Sequence, residues 1–403
     1  MRNRIHRREF LVECSCAALS TSAGLLVACS RENQPSARSR DAHWSTLTAD
    51  LERQIPQLME AAYVPGLSIA IIKDARLFWR RGFGVKDSRS KEPVDNDTVF
   101  EAASTSKPVF AYAVMKLCEK GVMDLDTPLT KYTSDRFLEG DPRLELITPR
   151  HVLSHTSGLP NFRSDEEPLK IHFTPGDEWS YSGEGYSYLQ SVVTHLIGGR
   201  VNLNDCATFE AGLKVCASEP SIDEYMKANI LVPFGMTSSG YLWNDAIEHH
   251  MARGHDEKGQ PSTSDRRPTG PSLARYGMVG GLCTTPTDYA KFLIEIIDPK
   301  PRDGFRLGRK SLQEMLRPQV KRNAGSSWAL GWEINHTENG DFLRHGGGNP
   351  GYSCFVAASV PRKSGYVIMT NAENSGYFGV IAKLITGETL SRFLGSKLRG
   401  ASE

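Results

Sequence analysis

The chain reads as an α+β protein whose antiparallel sheet is assembled from both ends of the sequence, with a mostly α-helical insertion between them. Three observations carry that reading. Near the start, residues 65 to 85 follow a strand–turn–strand pattern, with Leu67–Ile72, a turn at Lys73-Asp74, then Leu77–Trp79. Strand-like runs return only late: Trp328–Ile334, Asp341–His345, Tyr352–Val360 and Tyr366–Thr370, separated by turns containing Gly, Asn or Pro. Between Ser104 and about Pro271 the pattern is helical or loop-like.

The elements follow in chain order. Four arginines (Arg2, Arg4, Arg7, Arg8) precede a mostly apolar stretch from Phe10 to Ala28 that is interrupted by Glu13, Ser15 and Thr21. It is too short and too polar for a membrane span, and the charge-then-apolar order predicts an export signal over residues 1–28. Arg7-Arg8 before Glu9-Phe10-Leu11 resembles a twin-arginine signal. Leu26-Val27-Ala28-Cys29 resembles a lipobox, in which Cys29 would carry lipid, plain cleavage nearby being the alternative. Residues 29–43, with Pro35, Ser36 and Ser39, read as a tether. The expectation is an exported protein, periplasmic or extracytoplasmic, lipid-anchored to the membrane. The body divides into a sheet subdomain, 44–103 with 271–399, and a mostly helical subdomain, 104–270. Leu189, Val192, Val193 and Leu196 mark a helix after Gly185, and the apolar run Phe378–Ile385 predicts a C-terminal helix.

Composition excludes some partners. Lys and Arg number 48 against 47 acidic residues, a formal net charge of +1, which does not favour nucleic acid or a polybasic membrane contact. Of eight cysteines, Cys118 and Cys354 fall in apolar segments and read as buried thiols. Cys206 and Cys216 bracket a short loop-rich segment, where an oxidising compartment would allow a disulfide, two unrelated thiols being the alternative. No zinc-spaced cysteine pairs, HExxH or EF-hand loop occurs, so neither a metal nor a cofactor is expected.

Chemistry enters at Ser104-Thr105-Ser106-Lys107. Phe110, Ala113, Val114 and Leu117 follow at helical spacing, with Gly121 as a stop, so Lys107 should lie beside Ser104 on one helix face. A serine hydroxyl needs a base to remove its proton, and a lysine can be that base once burial lowers its pKa. Ser88-Arg89-Ser90-Lys91 repeats the spacing in a polar stretch and reads as a loop. A plain helix cap at Ser104 is the bland alternative. Tyr181, in the turn Pro175–Gly183, is a candidate proton shuttle whose pKa a nearby lysine ammonium would lower. His345-Gly346-Gly347-Gly348 follows a strand, and its glycines would let a substrate approach backbone N–H groups of an oxyanion hole.

Together these three motifs, in this order, resemble the serine β-lactamase and penicillin-binding-protein superfamily, in its class C β-lactamase-like branch of esterases and D-amino-acid peptidases. Phe100–Lys107 is similar to the family's nucleophile motif, and His151–Pro160 and Gly280–Asp288 resemble two further family stretches; the likeness spans about residues 45–395. The resemblance implies a β-lactamase-like fold and a Ser104 acyl-enzyme. It gives Lys107 and Tyr181 the proton transfers, with either as the base, and the backbone N–H groups of Ser104 and Gly348 the oxyanion hole.

Two departures bear on the substrate. Where the family has Tyr-x-Asn, this chain has Tyr181-Ser182-Gly183, with Ser182 or Glu184 as possible substitutes for the Asn. Where β-lactamases have Lys-Thr-Gly, it has His345-Gly346-Gly347. Losing a fixed cation disfavours β-lactam carboxylates, and any preference for carboxylates should follow the titration of His345. The leading expectation is a serine hydrolase acting on a small-molecule ester or amide. The alternatives are a class C-type β-lactamase or D-alanyl peptidase, and a catalytically weak sensor of cell-wall fragments or β-lactams. A Ser-His-Asp α/β-hydrolase is disfavoured by the lack of a Gly-x-Ser-x-Gly elbow. His151 and His155 read as capping or packing residues, and Trp79, Trp179, Trp328 and Trp332 as core or cleft wall.

Overall fold

The computed structural model describes residues 37–164, 167–199, 222–262, 276–300, 303–337 and 340–373. The export signal, Cys29, the Cys206–Cys216 pair and the run Phe378–Ile385 lie outside the described residues. The chain separates into a short N-terminal unit, Met1–Trp44, and a body, Ser45–Glu403. Helix α1 (Ala37–Ala61) begins inside the stretch read as a tether, and in the body it buries Leu51, Ile55 and Met59, one residue per turn on one side.

Eight antiparallel strands form the main sheet, in the order β2-β1-β10-β9-β8-β7-β6-β5. Strands β1 (Gly66–Lys73) and β2 (Arg76–Gly84) form the expected hairpin, and its turn is Asp74-Ala75, both at positive φ, so Lys73 pairs with Arg76. Strand β1 is buried along nearly its whole length because β10 (Ser364–Thr370) covers its other edge, with Leu67 opposite Thr370. Strands from both ends of the described body therefore lie side by side within one sheet, one strand in from its β2 edge.

The short ladder of β3 (Phe100–Glu101) and β4 (Cys283–Thr284) ties the start of the helical insertion to its end. Late strands are β5 (Val320–Asn323), β6 (Ser326–Trp328), β7 (Glu333–Thr337), β8 (Gly340–Asn349) and β9 (Tyr352–Ser359). The single strand expected over Trp328–Ile334 is two strands. Gly331 breaks the run at φ 85°, where an added Cβ would lie 2.7 Å from the Ala111 Cβ. Strand β5 was not expected, since its polar residues lie on an edge with only alternate positions half-buried.

Helix α2 (Ser106–Glu119) is buried from Ser106 to Leu117 and forms the centre of the core. Lys120 caps it and Gly121 follows at φ 71°, the expected stop. The helix Pro286–Ile297 packs on β1, β2, β9 and β10, and its Phe292 stacks on the fully buried Trp332 at 6.3 Å. Trp79 is half-buried on the edge strand β2, neither core nor cleft wall. Among the described residues no helix is long and apolar enough to cross a membrane.

Candidate active site

From Thr98 to Leu117 every residue is buried except Ser104. Ser104 sits on a 3-10 turn, Ala103–Thr105, that leads into α2, and it does not cap the helix: Thr105 stands at that position. Ala103 is held at φ 46°, which costs about 1–2 kcal/mol for a residue with a Cβ. Four hydrogen bonds pin the turn. The Ala102 N–H donates to the Leu282 carbonyl (2.7 Å), and the Cys354 thiol donates to the Ala102 carbonyl (2.7 Å). The Ser106 hydroxyl donates to the Ala103 carbonyl (2.7 Å), and the Tyr289 phenol donates to the Thr105 carbonyl (2.7 Å). Burial pushes the Cys354 thiol up to about 12, so it stays a neutral donor.

Lys107 lies one turn on, as the spacing required. Its Nζ donates to the Ser104 Oγ (3.1 Å) and to the Val279 carbonyl (2.7 Å). The side chain is 1 % exposed, and desolvation brings its pKa down to about 7. The Tyr181 ring centroid is 5.1 Å from Nζ, and the phenol is close enough to Ser104 for that side chain to favour its ionised form, yet it makes no well-formed hydrogen bond. The expected lowering of the Tyr181 pKa by lysine is not found. Burial dominates and raises it, and a lysine titrating near 7 is a weak source of positive charge.

The vacant place of the second motif has a steric cause. A Cβ at Gly183 would lie 2.4 Å from the Asn161 carbonyl oxygen and 3.3 Å from Val279 Cγ1, so an asparagine does not fit there. Neither expected substitute turns toward Lys107. The Ser182 hydroxyl accepts from Gly185 N–H (2.9 Å), capping α4 (Gly183–Leu196), and donates to the Pro160 carbonyl (3.0 Å). Glu184 is buried and binds Arg163, with Oε2 2.7 Å from NH2. The side-chain amide nearest the vacant place is that of Asn161, whose Oδ1 is 3.1 Å from the same point.

The third motif lies in β8. A Cβ at Gly347 would come within 2.9 Å of the Ser104 nitrogen, 2.8 Å of the Ala102 oxygen and 2.6 Å of Cys354 Sγ, so only glycine lets the strand cross the Ser104 turn. Gly346 and Gly348 pair with Phe355 and Ser353 of β9, and space beside Gly348 is open. His345 does not behave as expected. It is 3 % exposed, its Nδ1 donates to the Gly346 carbonyl (2.7 Å), and burial beside Lys107 lowers its pKa to about 3. It is a neutral side chain at any ordinary pH.

Three features of the surroundings were not legible as site residues. The helix α3 (Pro149–Leu153) ends so that His155 adopts φ 59°, and its Nδ1 accepts from Ser182 N–H (3.0 Å) while its ring lies 4.1 Å from that of Tyr181. His155 thus packs Tyr181 in place, and His151 forms a capping box with Thr148. Val279 offers only a backbone carbonyl, which no side-chain pattern reports. Arg322 lies 4.7 Å over the ring of Trp179, which is 5.5 Å from Trp328, which in turn is 5.8 Å from Tyr181. Trp328 is thus buried in the core, and Trp179 is half-buried beside it beneath Arg322. Ser88–Lys91 is a turn away from the helical core, as expected.

Comparison with known proteins agrees with this geometry. The chain is 23% identical over 352 residues to Protein flp of Staphylococcus aureus (strain MRSA252), covering 82% of this chain and 65% of that protein, and so spans about two thirds of its length. It is 25% identical over 329 residues to Penicillin-binding protein 4* of Bacillus subtilis (strain 168), covering 74% of this chain and 66% of that protein. The solved D-alanine carboxypeptidase AmpC of Burkholderia cenocepacia superposes with a TM-score of 0.67 at 19% identity, over 85% of this chain and 98% of that one. That likeness establishes a β-lactamase-like fold. The family model Beta-lactamase matches residues 51–386. That match covers most of the chain, over the Ser104 turn, the buried Lys107 and the glycine strand alike, and the chain belongs to the Beta-lactamase family.

Proposed function

We propose that this protein is a serine hydrolase that cleaves small esters or amides through an acyl-enzyme on Ser104. The observation that carries the proposal is the pairing of the one unburied residue of a buried stretch, Ser104, with a lysine whose Nζ is 3.1 Å away and whose pKa burial has brought to about 7. About half of such lysines are neutral at pH 7 and able to take a proton. The Ser104 oxygen adds to the substrate carbonyl as its proton passes to Lys107. Tyr181, kept protonated by burial, gives its proton to the leaving group and regains one from Lys107. Water then repeats the sequence on the acyl-enzyme, with Lys107 again the base. The backbone N–H groups of Ser104 and Gly348 receive the oxyanion.

Substrate choice rests on the third motif. A buried, neutral His345 gives no fixed cation where a β-lactam carboxylate is met in the Lys-Thr-Gly enzymes, which favours esters and small amides. A D-alanyl peptidase or class C-type β-lactamase is the second reading, favoured by the likeness to a D-alanine carboxypeptidase. Turnover of a short-chain nitrophenyl ester and of a chromogenic cephalosporin, with Ser104→Ala as blank, separates the two. Ester turnover lost in the variant supports the first reading, fast cephalosporin turnover the second. Acylation without release would make the protein a sensor. We also propose that residues 1–28 direct export and that Cys29 carries lipid, so Cys29→Ala should move the protein from the membrane fraction to the soluble one.

A further inference from the structure

Arg322 occupies the bulge in β5, where the pairing register slips between Lys321–Ser327 and Asn323–Ser326. A bulge on a sheet edge re-aims the side chain of its extra residue, and here the guanidinium lies over the half-buried Trp179, the outer member of an aromatic cluster that continues inward through Trp328 to Tyr181. Beneath it two guanidinium groups share one carboxylate. The Glu333 carboxylate accepts from both Arg322 (2.5 Å) and Arg344 (2.7 Å), two cations on one anion. The Arg344 side chain is 7% exposed and that of Arg322 is 28% exposed, so of the two guanidinium groups Arg322 is the one open to a ligand. A guanidinium has five N–H donors, and the contact with Glu333 uses only NH1.

We propose that Arg322 is a specificity-determining residue that receives a carboxylate on the substrate, beyond Trp179. This deepens the proposed hydrolase reading and rests on it. The carboxylate lies flat against the guanidinium fork, a geometry a lysine point charge does not reproduce. The buried His345 takes no part: the cation has moved from the glycine strand to the outer edge of the sheet.

The test compares a neutral nitrophenyl ester with the nitrophenyl monoester of a short dicarboxylic acid, using the full chain. Arg322→Ala should lower the ratio of kcat/KM for the anionic over the neutral ester about ten-fold, through KM, with Arg322→Lys intermediate. High salt should lower the wild-type ratio as well. A Ser104-dependent ratio that does not move in Arg322→Ala overturns the inference and leaves the hydrolase reading standing. Equal esterolysis by wild type and Ser104→Ala overturns the hydrolase reading instead. Binding is then read without catalysis, by titrating adipate into Ser104→Ala and following tryptophan fluorescence. Loss of about ten-fold in affinity on adding Arg322→Ala supports the carboxylate site, and equal affinities refute it. Arg322→Gln, with matching thermal unfolding, guards against a folding defect.

Discussion

Lys107→Met tests the site at the level of free energy. In the unfolded chain the amine holds its proton to about pH 10.5, in the folded chain only to about 7, so the native state binds fewer protons between those values. Stability therefore rises with pH across that window, and the full cost of the lysine is present below about pH 7. The shift of about 3.5 units corresponds to about 5 kcal/mol at 1.36 kcal/mol per unit. Methionine keeps much of the volume but strands the Val279 carbonyl, which costs about 1–3 kcal/mol. Near pH 6 the variant should be the more stable protein by about 2–4 kcal/mol, while losing at least about a thousand-fold in ester turnover. Urea unfolding of both proteins from about pH 6 to 9 should show the gap closing by about 2–3 kcal/mol above pH 7. In parallel, log kcat/KM of the wild type should rise with unit slope to about pH 7 and then level off. A stability gap independent of pH, or an acid limb displaced by more than about one unit, would refute the buried-base argument.

Other substitutions probe the remaining parts. Tyr181→Phe should cost little stability, since the hydroxyl has no well-formed partner, yet slow turnover about 100-fold or more; equal stability and rate losses would count against a proton-transfer role. Gly347→Ala places a methyl 2.6–2.9 Å from Cys354 Sγ, Ala102 O and the Ser104 nitrogen, and should lower stability by about 1–3 kcal/mol and activity more steeply; urea unfolding and ester kinetics check both. His345 is neutral above its pKa of about 3, so preference between carboxylate-bearing and neutral esters should carry no His345 titration from about pH 5.5 to 8, and His345→Gln should leave the pH profile of that ratio unchanged. A ratio that climbs as pH falls in the wild type and not in the variant would restore the cation role.

The closeness of Ser104, Lys107 and Tyr181 was readable from the sequence because their information is local: a spacing of three in a helical pattern, and a tyrosine in a Ser/Gly turn. The sheet's construction from both ends was readable for the same reason, through alternating runs such as Leu67–Ile72. Signs of charge were not, because they depend on how much protein covers a group. Tyr181 and His345 both lie near Lys107, and burial decides the direction of each pKa. Gly183 was legible as a departure, but its cause is the Asn161 carbonyl, a backbone group from a different loop. Strand β5 escaped notice because an exposed edge needs no apolar alternation, and Arg322 with it, since a bulge is a property of two strands in register.

Pairing of β1 with β10 also bears on how the protein comes to be active. Leu67 waits for Thr370 across about three hundred residues, a separation that places this fold among the slow ones. During synthesis, a nascent chain already carries Ser104 and Lys107 while β8, which crosses the Ser104 turn, and β10, which pairs with β1, have yet to be made. Strand β1, apolar along both faces, has only its hairpin partner until then. Until its last strands are made, the growing chain thus exposes an apolar edge open to pairing with other chains, which is the hazard this topology sets during synthesis.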